Sequence, residues 1–154
     1  MRLGEAIGLL KTDINLGAEV PHITVKPHPW RRLKTPGSER QIPLVGASLW
    51  AAKRALGQHT GTKFAFTKYC SEDGHKTNSA SAALNKWLKA NSPKGCVVHS
   101  FRHSMRDRWR AIECPSDVID QLGGWSTAGV ASDYGRGYRS EALHSWLKRL
   151  KSLP

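Results

Sequence analysis

Proton carriers and phosphate-binding groups are concentrated in one short segment, residues 99–110, with the sequence HSFRHSMRDRWR. On a helix, at about 100° per residue, one side gathers five cationic or titratable residues: His99, Arg102, His103, Arg106 and Arg110. Imidazole exchanges protons near neutral pH, and guanidinium donates paired hydrogen bonds to oxyanions. Like charges three or four positions apart destabilise a helix, and no acidic residue on this side relieves their repulsion. The pattern predicts that an anion covers these side chains.

A metal site is the alternative use of the two histidines. His99 and His103 are four positions apart, so one face of a helix could present both to a metal ion. The arginines beside them repel a cation, and no cluster of carboxylates accompanies them for two-metal chemistry. The sequence therefore favours a site without metal.

The composition fits a partner that is a polyanion. The chain of 154 residues has 24 Lys and Arg against 12 Asp and Glu, which gives a net charge of +12. This balance favours nucleic acid, with a membrane surface as the weaker alternative. Cys70, Cys96 and Cys114 lack metal-type spacing, and no signal peptide is visible, which favours reduced thiols in the cytoplasm. Six tryptophans and 39% hydrophobic residues argue against a disordered basic tail.

The first half of the chain predicts a helix followed by a small sheet. A helix is expected from Arg2, with Leu3, Ile7 and Leu10 on one face, and no N-cap residue precedes it. That abrupt start suggests that residues 1–154 are a single domain cut from a longer protein.

Alternating apolar residues predict two or three short antiparallel strands, with Ile23 and Val25 in one and Ile42 and Leu44 in another. Pro36-Gly37 can form a type II turn between these strands, which would put Lys34 close to the tip of a hairpin. Phe64 and Phe66 are expected in a short extended piece.

Helical periodicity dominates the rest of the chain. Helices are predicted over residues 45–58, 78–91, 99–112, 115–124 and 140–150, with a weakly helical stretch over 126–135. The residues predicted to face a core are Ala83, Leu84, Trp87, Leu88, Phe101, Met105, Trp109, Ile112, Leu143, Trp146, Leu147 and Leu150. Ser116 is the predicted N-cap of its helix, and Gly123-Gly124 its end. The expected fold class is α+β, mainly α, with a small antiparallel sheet or hairpin.

The order of several short motifs resembles one family. Arg2-x-x-Glu5 opens the chain, and Lys34-Thr35 lies in the predicted hairpin, followed by ERQIPL. His99-x-x-Arg102-His103 comes next, and Gly-Trp125 is followed nine positions later by Tyr134. Over nearly its whole length the chain resembles the catalytic domain of the tyrosine recombinases, also called the phage integrase family. The last two motifs are the specific ones, and the hairpin lysine is the loosest match.

The resemblance implies a role for each matching residue. Arg2 and Arg102 would bind the phosphate, Lys34 would be the hairpin lysine, His99 the histidine of the motif, and Tyr134 the nucleophile. The supporting residues would be Glu5 beside the first arginine and His103, whose part is structural. Trp125 stands where the family more often has His, and its indole N–H remains available as a donor. Three further arginines are predicted to contact DNA: Arg31, Arg32 and Arg106.

The chemistry requires these residue types. A phenol attacks phosphorus and leaves again, so a phosphotyrosyl bond keeps the energy needed to rejoin the strand. Arginines stabilise the charge that develops on the non-bridging oxygens. His99 is a base or proton relay for the phenol, and Lys34 can protonate the departing 5′ oxygen. Tyr69 and Tyr138 are rival nucleophiles, but neither has the family's distance from Trp125.

The resemblance implies site-specific DNA recombination without cofactor or metal, with double-stranded DNA as partner. It also implies that residues 1–154 are the catalytic domain of a longer protein, without the family's N-terminal core-binding domain and the start of the catalytic domain. A type IB topoisomerase shares the chemistry, and a non-catalytic DNA-binding module is the alternative from another class. The target sequence and the kind of recombinase, whether phage integrase, dimer resolvase or mobile-element enzyme, stay open. Gly135 and Gly137 precede the last helix, so this helix either packs on its own domain or docks on a neighbouring protomer on DNA.

Overall fold

A computed structural model describes residues 1–35, 38–58, 61–125 and 137–150. The fold is mainly helical with two small antiparallel sheets, as the sequence predicts. The helices are α1 (Leu3–Ile7), α2 (Gly46–Gly57), α3 (Thr77–Asn91), α4 (Ser100–Ala111), α5 (Ser116–Gly123) and α6 (Ser140–Leu150), with a 3₁₀ turn over Lys11–Asp13. The strands are β1 (Ile14–Asn15), β2 (His22–Val25), β3 (Arg40–Pro43), β4 (Cys70–Ser71) and β5 (Gly74–His75).

The main sheet has the strand order β1-β2-β3 and is antiparallel throughout. Ile23 on the central strand lies opposite Ile14 on one side and Ile42 on the other. The predicted pairing of the two longer strands is confirmed, and Lys34 lies in their connection. Pro36 and Gly37, the predicted turn, lie outside the described residues. The hairpin of β4 and β5 was not predicted, because each strand has only two residues.

The first helix is much shorter than predicted. It ends at Ile7, and Leu10 instead forms a bridge with Phe64, which confirms the extended character expected around Phe64. Gly8 explains the end, since a Cβ there would lie 2.7 Å from Cδ of Arg31. The chain then turns at Asp13, whose Oδ2 accepts the N–H of Leu10 at 3.0 Å. Local hydrogen bonds of this kind compete with helix continuation.

Two apolar clusters form the core. The first joins the sheet to α2, and its buried residues include Leu9, Ile23, Val25, Leu44, Ala52 and Ala55. The second joins α4, α5 and α6, and its buried residues include Trp109, Val118, Leu122, Leu143, Leu147 and Leu150. Ile42 on β3 packs against both clusters. The predicted apolar stripe of α6 is therefore confirmed, with Trp146 partly buried beside it.

Two predicted core faces are wrong in part. On α3 only Leu88 of the four predicted residues is buried, and Trp87 is 60% exposed. On α4 Trp109 is buried, but Phe101 is 65% exposed. Helical spacing tells which residues share a face, whereas burial depends on a partner element that covers it. The exposed members of the two predicted faces are Ala83, Leu84, Trp87, Phe101 and Met105.

The ends of α5 are close to those predicted. Pro115 rather than Ser116 is the N-cap, and Gly124 ends the helix with a left-handed φ of 60°. The weakly helical stretch over 126–135, with Tyr134, lies outside the described residues. Within the described part of the chain, no helix is both long enough and apolar enough to cross a membrane.

Candidate active site

Glu5 lies at the centre of the site, between two arginines. Its carboxylate is buried and is bound on one oxygen by Nη1 of Arg2 and on the other by Nη2 of Arg40, each at 2.9 Å. Burial favours the neutral acid, but the hydrogen bonds from Arg40 and Arg2 outweigh it and lower the pKa of Glu5 below its ordinary value. Glu5 is therefore an anion that orients both guanidinium groups.

The guanidinium of Arg2 is hydrogen-bonded inside the fold, but part of the side chain remains exposed to solvent. Its Nη2 donates to the carbonyl oxygen of Gly124 at 3.1 Å, and its Nη1 lies 3.4 Å from Oγ of Ser38. The side chain is still 27% exposed. It is half-buried at the N-terminus of α1, where its own backbone N–H donates to Glu5 at 2.7 Å. The predicted support of Arg2 by Glu5 is present in this geometry.

Arg102 has the unsatisfied charge of the site. Its Nη2 is buried and has no hydrogen-bond partner among the described residues. Burial and then the charge of Arg2 lower the pKa of Arg102 to about 10, so it remains a cation at neutral pH. A buried charged donor without an acceptor is costly. An anion bound here would remove that cost, because it supplies the missing acceptor.

Trp125 lies under the arginines of α4. Cζ of Arg102 is 3.9 Å from the centre of the indole ring, and Cζ of Arg106 is 5.1 Å away. Trp109 contacts the same ring edge-on, with 6.4 Å between centroids. A Cβ on Gly123 would overlap the Trp125 ring. The glycine that the sequence assigns to the end of α5 is thus also needed for this close approach.

The two histidines lie at the start of α4 and are exposed. Their rings are 4.8 Å apart and inclined at 75°, and the carbonyl of His99 accepts the N–H of Arg102 at 3.0 Å. The prediction that this helix face lacks an acid is wrong at its far end, where Asp107 pairs with Arg110 at 3.6 Å.

The basic residues of the β2–β3 connection differ in their exposure to solvent. Arg32 and Lys34 are exposed. Arg31 is only 2% exposed, and its guanidinium donates to the carbonyls of Glu5, at 2.6 Å, and of Lys26. Both terminal nitrogens of Arg31 thus donate inside the fold and its buried Nε has no partner among the described residues, so this geometry does not favour the predicted contact of Arg31 with DNA.

The connection is fixed to the rest of the site at two points. Nε2 of His28 lies 2.8 Å from Oδ2 of the buried Asp13, and the His28 ring stacks on Trp30 at 4.8 Å. Further along, Oγ of Ser38 lies 2.8 Å from Oγ1 of Thr35 and also approaches Arg2. Lys34 thus extends from a segment whose two flanks are held.

The predicted nucleophile, Tyr134, lies outside the described residues. Its rival Tyr138 is described, and its hydroxyl donates to Oδ2 of Asp117 at 2.7 Å. This hydrogen bond to a carboxylate raises the pKa of Tyr138, which disfavours the phenolate that a nucleophile needs. The backbone of Tyr138 is bound at both its N–H and its carbonyl by the side-chain amide of Gln121.

Three parts of the site were missed from sequence: Arg40, Ser38 and the carbonyl of Gly124. Arg40 was included only as part of a strand. A signal was available, because Arg40 and Ile42 alternate along β3 and a charged residue at a buried strand position requires a partner. Besides the nearby carbonyl of Ser38, the acceptors of Arg40 are Glu5 on α1 and the carbonyl of Leu122 on α5, which no local pattern reveals.

Comparison with known proteins gives one finding. A family model described as "Phage integrase family" matches residues 1–140. No curated protein and no solved structure matches the chain. The matched range includes every predicted site residue, from Arg2 to Tyr134.

Proposed function

The chain belongs to the phage integrase family, and on this premise we propose that it cuts and rejoins DNA through a 3′-phosphotyrosyl intermediate. Family membership indicates site-specific recombination and DNA binding in general. The observation that carries the finer proposal is the buried Nη2 of Arg102, which has no hydrogen-bond partner among the described residues, together with the charge of Arg2, which acts on the same guanidinium. A phosphodiester is an anion whose two non-bridging oxygens suit two such arginines.

The arginines act mainly in the transition state. Negative charge grows on the non-bridging oxygens as the phenol attacks phosphorus, and fixed cations stabilise that charge without reorganisation. Arg2 is oriented by Glu5, and Arg102 is held over the Trp125 ring at 3.9 Å. Both groups are thus oriented before DNA binds, which is what efficient electrostatic catalysis requires.

Tyr134 is the proposed nucleophile. Its phenolic oxygen forms a bond to phosphorus while the bond from phosphorus to the 5′ oxygen breaks. His99 accepts the phenolic proton directly or through water, and Lys34 gives a proton to the departing 5′ oxygen. A 5′-hydroxyl from another strand then reverses these steps and completes strand transfer.

The test of this proposal is covalent trapping on a nicked suicide substrate, from which the short 5′-hydroxyl strand is lost after cleavage. Wild-type protein should form an adduct in excess EDTA, and Tyr134→Phe should bind the same DNA but form none. Tyr138→Phe is the matched control and should keep the adduct. An adduct with Tyr134→Phe at the wild-type level would refute the assignment, and binding without any wild-type adduct would favour a non-catalytic module.

The same assay separates a recombinase from a type IB topoisomerase. With two duplexes present, a recombinase joins the cleaved strand to the 5′-hydroxyl of the other duplex. A topoisomerase reseals the original strand and relaxes supercoiled DNA. We propose recombination, and products with exchanged partners are the expected outcome.

Self-association through α6 is a further part of the proposal. In the single chain its apolar stripe packs on α5 and β3, so docking on a second protomer requires α6 to leave that position. Deleting residues 138–154 should then spare binding to one site but weaken assembly on paired sites in sedimentation experiments. Equal assembly, or unfolding of the truncated protein, would make α6 ordinary core.

We also propose that the protein acts in the cytoplasm, where its free thiols stay reduced.

A further inference from the structure

Arg40 is a buried arginine with every part of its guanidinium engaged. Its side chain is only 4% exposed. Nε donates to the carbonyl of Leu122 at 3.2 Å, Nη1 to the carbonyl of Ser38 at 2.6 Å, and Nη2 to Glu5 at 2.9 Å. Each guanidinium nitrogen of Arg40 thus donates within the fold, and the buried side chain is not presented to DNA. Arg40 can therefore influence the reaction only through the residues that it holds.

The position of Arg40 depends on a glycine beside Trp125. Gly124 has a φ of 60°, and a Cβ there would lie 2.5 Å from Nη1 of Arg40. The carbonyl of the same glycine accepts a hydrogen bond from Arg2. Arg40 thus fixes the last turn of α5 against the first turn of α1, where the two halves of the candidate site meet.

The charges around Glu5 assign a second role to Arg40. Both arginines bind the Glu5 carboxylate: Oε1 accepts from Arg2 at 2.9 Å and from Nη1 of Arg40 at 3.5 Å, and Oε2 accepts from Nη2 of Arg40 at 2.9 Å. If Arg40 is absent, the full charge of the buried carboxylate acts on Arg2, its remaining close partner. A neutralised Arg2 stabilises phosphate charge poorly, because an ion pair presents little net field to a third group.

We propose that Arg40 is a positioning residue of DNA cleavage: it compensates the charge of Glu5, so that Arg2 keeps its charge and its orientation toward the phosphate. This inference rests on the proposed function. It assigns a part in the reaction to a residue that does not touch DNA.

The test is a double-mutant cycle on Arg40 and Glu5, measured as the single-turnover rate of adduct formation at saturating DNA. Arg40→Met should slow adduct formation by about 10- to 100-fold, as expected when an oriented charge is lost. Glu5→Gln should slow the wild type, because Arg2 loses its orienting anion. In the Arg40→Met background the same Glu5→Gln change should instead accelerate the reaction, because it removes the uncompensated carboxylate.

The controls separate charge from folding and from overall basicity. DNA affinity should change by less than about threefold in all variants, since one charge among many contributes little to binding. Arg54→Met removes an exposed charge from α2 and should leave the rate unchanged. Thermal unfolding is measured on each variant, because a purely structural role predicts that both changes lower stability and rate together.

The results of these experiments distinguish failure of the proposed role of Arg40 from failure of the proposed function. The role of Arg40 would be overturned if Glu5→Gln slows adduct formation in both backgrounds, or if Arg40→Met leaves the rate unchanged. In either case, adduct formation by the wild type would still uphold the proposed function. Absence of the wild-type adduct would overturn the proposed function itself. If Arg40→Met does not fold, Arg40→Gln replaces it in the same cycle, because its amide can still donate to one oxygen of Glu5.

Discussion

Arg31 and Arg102 each have a guanidinium group that is wholly or partly buried, but the two groups differ in their hydrogen-bond partners. Arg31 is 2% exposed and donates from its two terminal nitrogens to two backbone carbonyls, while its buried Nε has no partner among the described residues. Arg102 lies against the Trp125 ring and keeps a buried Nη2 without a partner among the described residues. The difference is which nitrogens have acceptors: both terminal nitrogens of Arg31 donate to the backbone, whereas the terminal Nη2 of Arg102 has no acceptor among the described residues.

The largest effect should come from Arg102. Arg102→Ala is expected to slow adduct formation by about 100- to 1,000-fold, the cost of losing one oriented donor to transition-state charge. The free energy of unfolding of Arg102→Ala should equal or exceed that of the wild type, because the substitution removes a buried unsatisfied donor. Single-turnover cleavage and urea unfolding on the same samples check both expectations. A stability loss as large as that of an ordinary core residue would remove the contrast with Arg31.

Arg31 should show the opposite pattern. Arg31→Met leaves the buried carbonyls of Glu5 and Lys26 without their donor and should cost about 2–4 kcal/mol of unfolding free energy. Arg32→Met, its exposed neighbour, is the matched control and should change stability by less than about 0.5 kcal/mol. Urea midpoints measure both. Equal costs for the two variants would mean that the contacts of Arg31 are not needed by the fold.

Glu5 extends the comparison to pH. Its pKa is below the ordinary value of 4.5 because the hydrogen bonds from Arg40 and Arg2 outweigh burial. A lowered acid pKa contributes stability that is complete above the unfolded-state value and is lost as pH falls through the folded-state value. The stability difference between wild type and Glu5→Gln should therefore shrink below pH 4.5. A difference that stays constant in acid would contradict the ionised state of Glu5.

Arg106 should give the smallest effect. It is half-buried and lies farther from the Trp125 ring than Arg102, at 5.1 Å. Arg106→Ala is expected to weaken DNA binding only a few-fold and to reduce the slope of log K against log salt by about one. Titrations at several salt concentrations measure this. A rate loss as large as that of Arg102→Ala, at unchanged affinity, would place Arg106 among the transition-state groups.

The local sequence predicts those features that short-range periodicity and chemistry control. Alternation gave the pairing of β2 with β3, and the helical period gave the buried stripe of α6. The motif residues Arg2, Glu5 and Arg102 could be singled out because their types suit phosphate chemistry. The structure brings these three together around one buried carboxylate.

Burial is the property that local patterns predicted only in part. Phe101 shares a helix face with Trp109, yet only Trp109 is covered, because α5 and α6 reach one end of α4. The first helix ends at Ile7 because Arg31, from a distant strand connection, approaches Gly8. Both outcomes depend on elements remote in sequence.

By itself the sequence determined that this chain is a basic, mainly helical domain carrying the residues of one chemistry. Only the tertiary structure decided which arginines are buried and which are exposed. Arg31 and Arg32 are adjacent and chemically identical, but one enters the fold and the other faces solvent. The physical reason is that a guanidinium can be buried only where distant backbone and carboxylate oxygens converge to accept its hydrogen bonds.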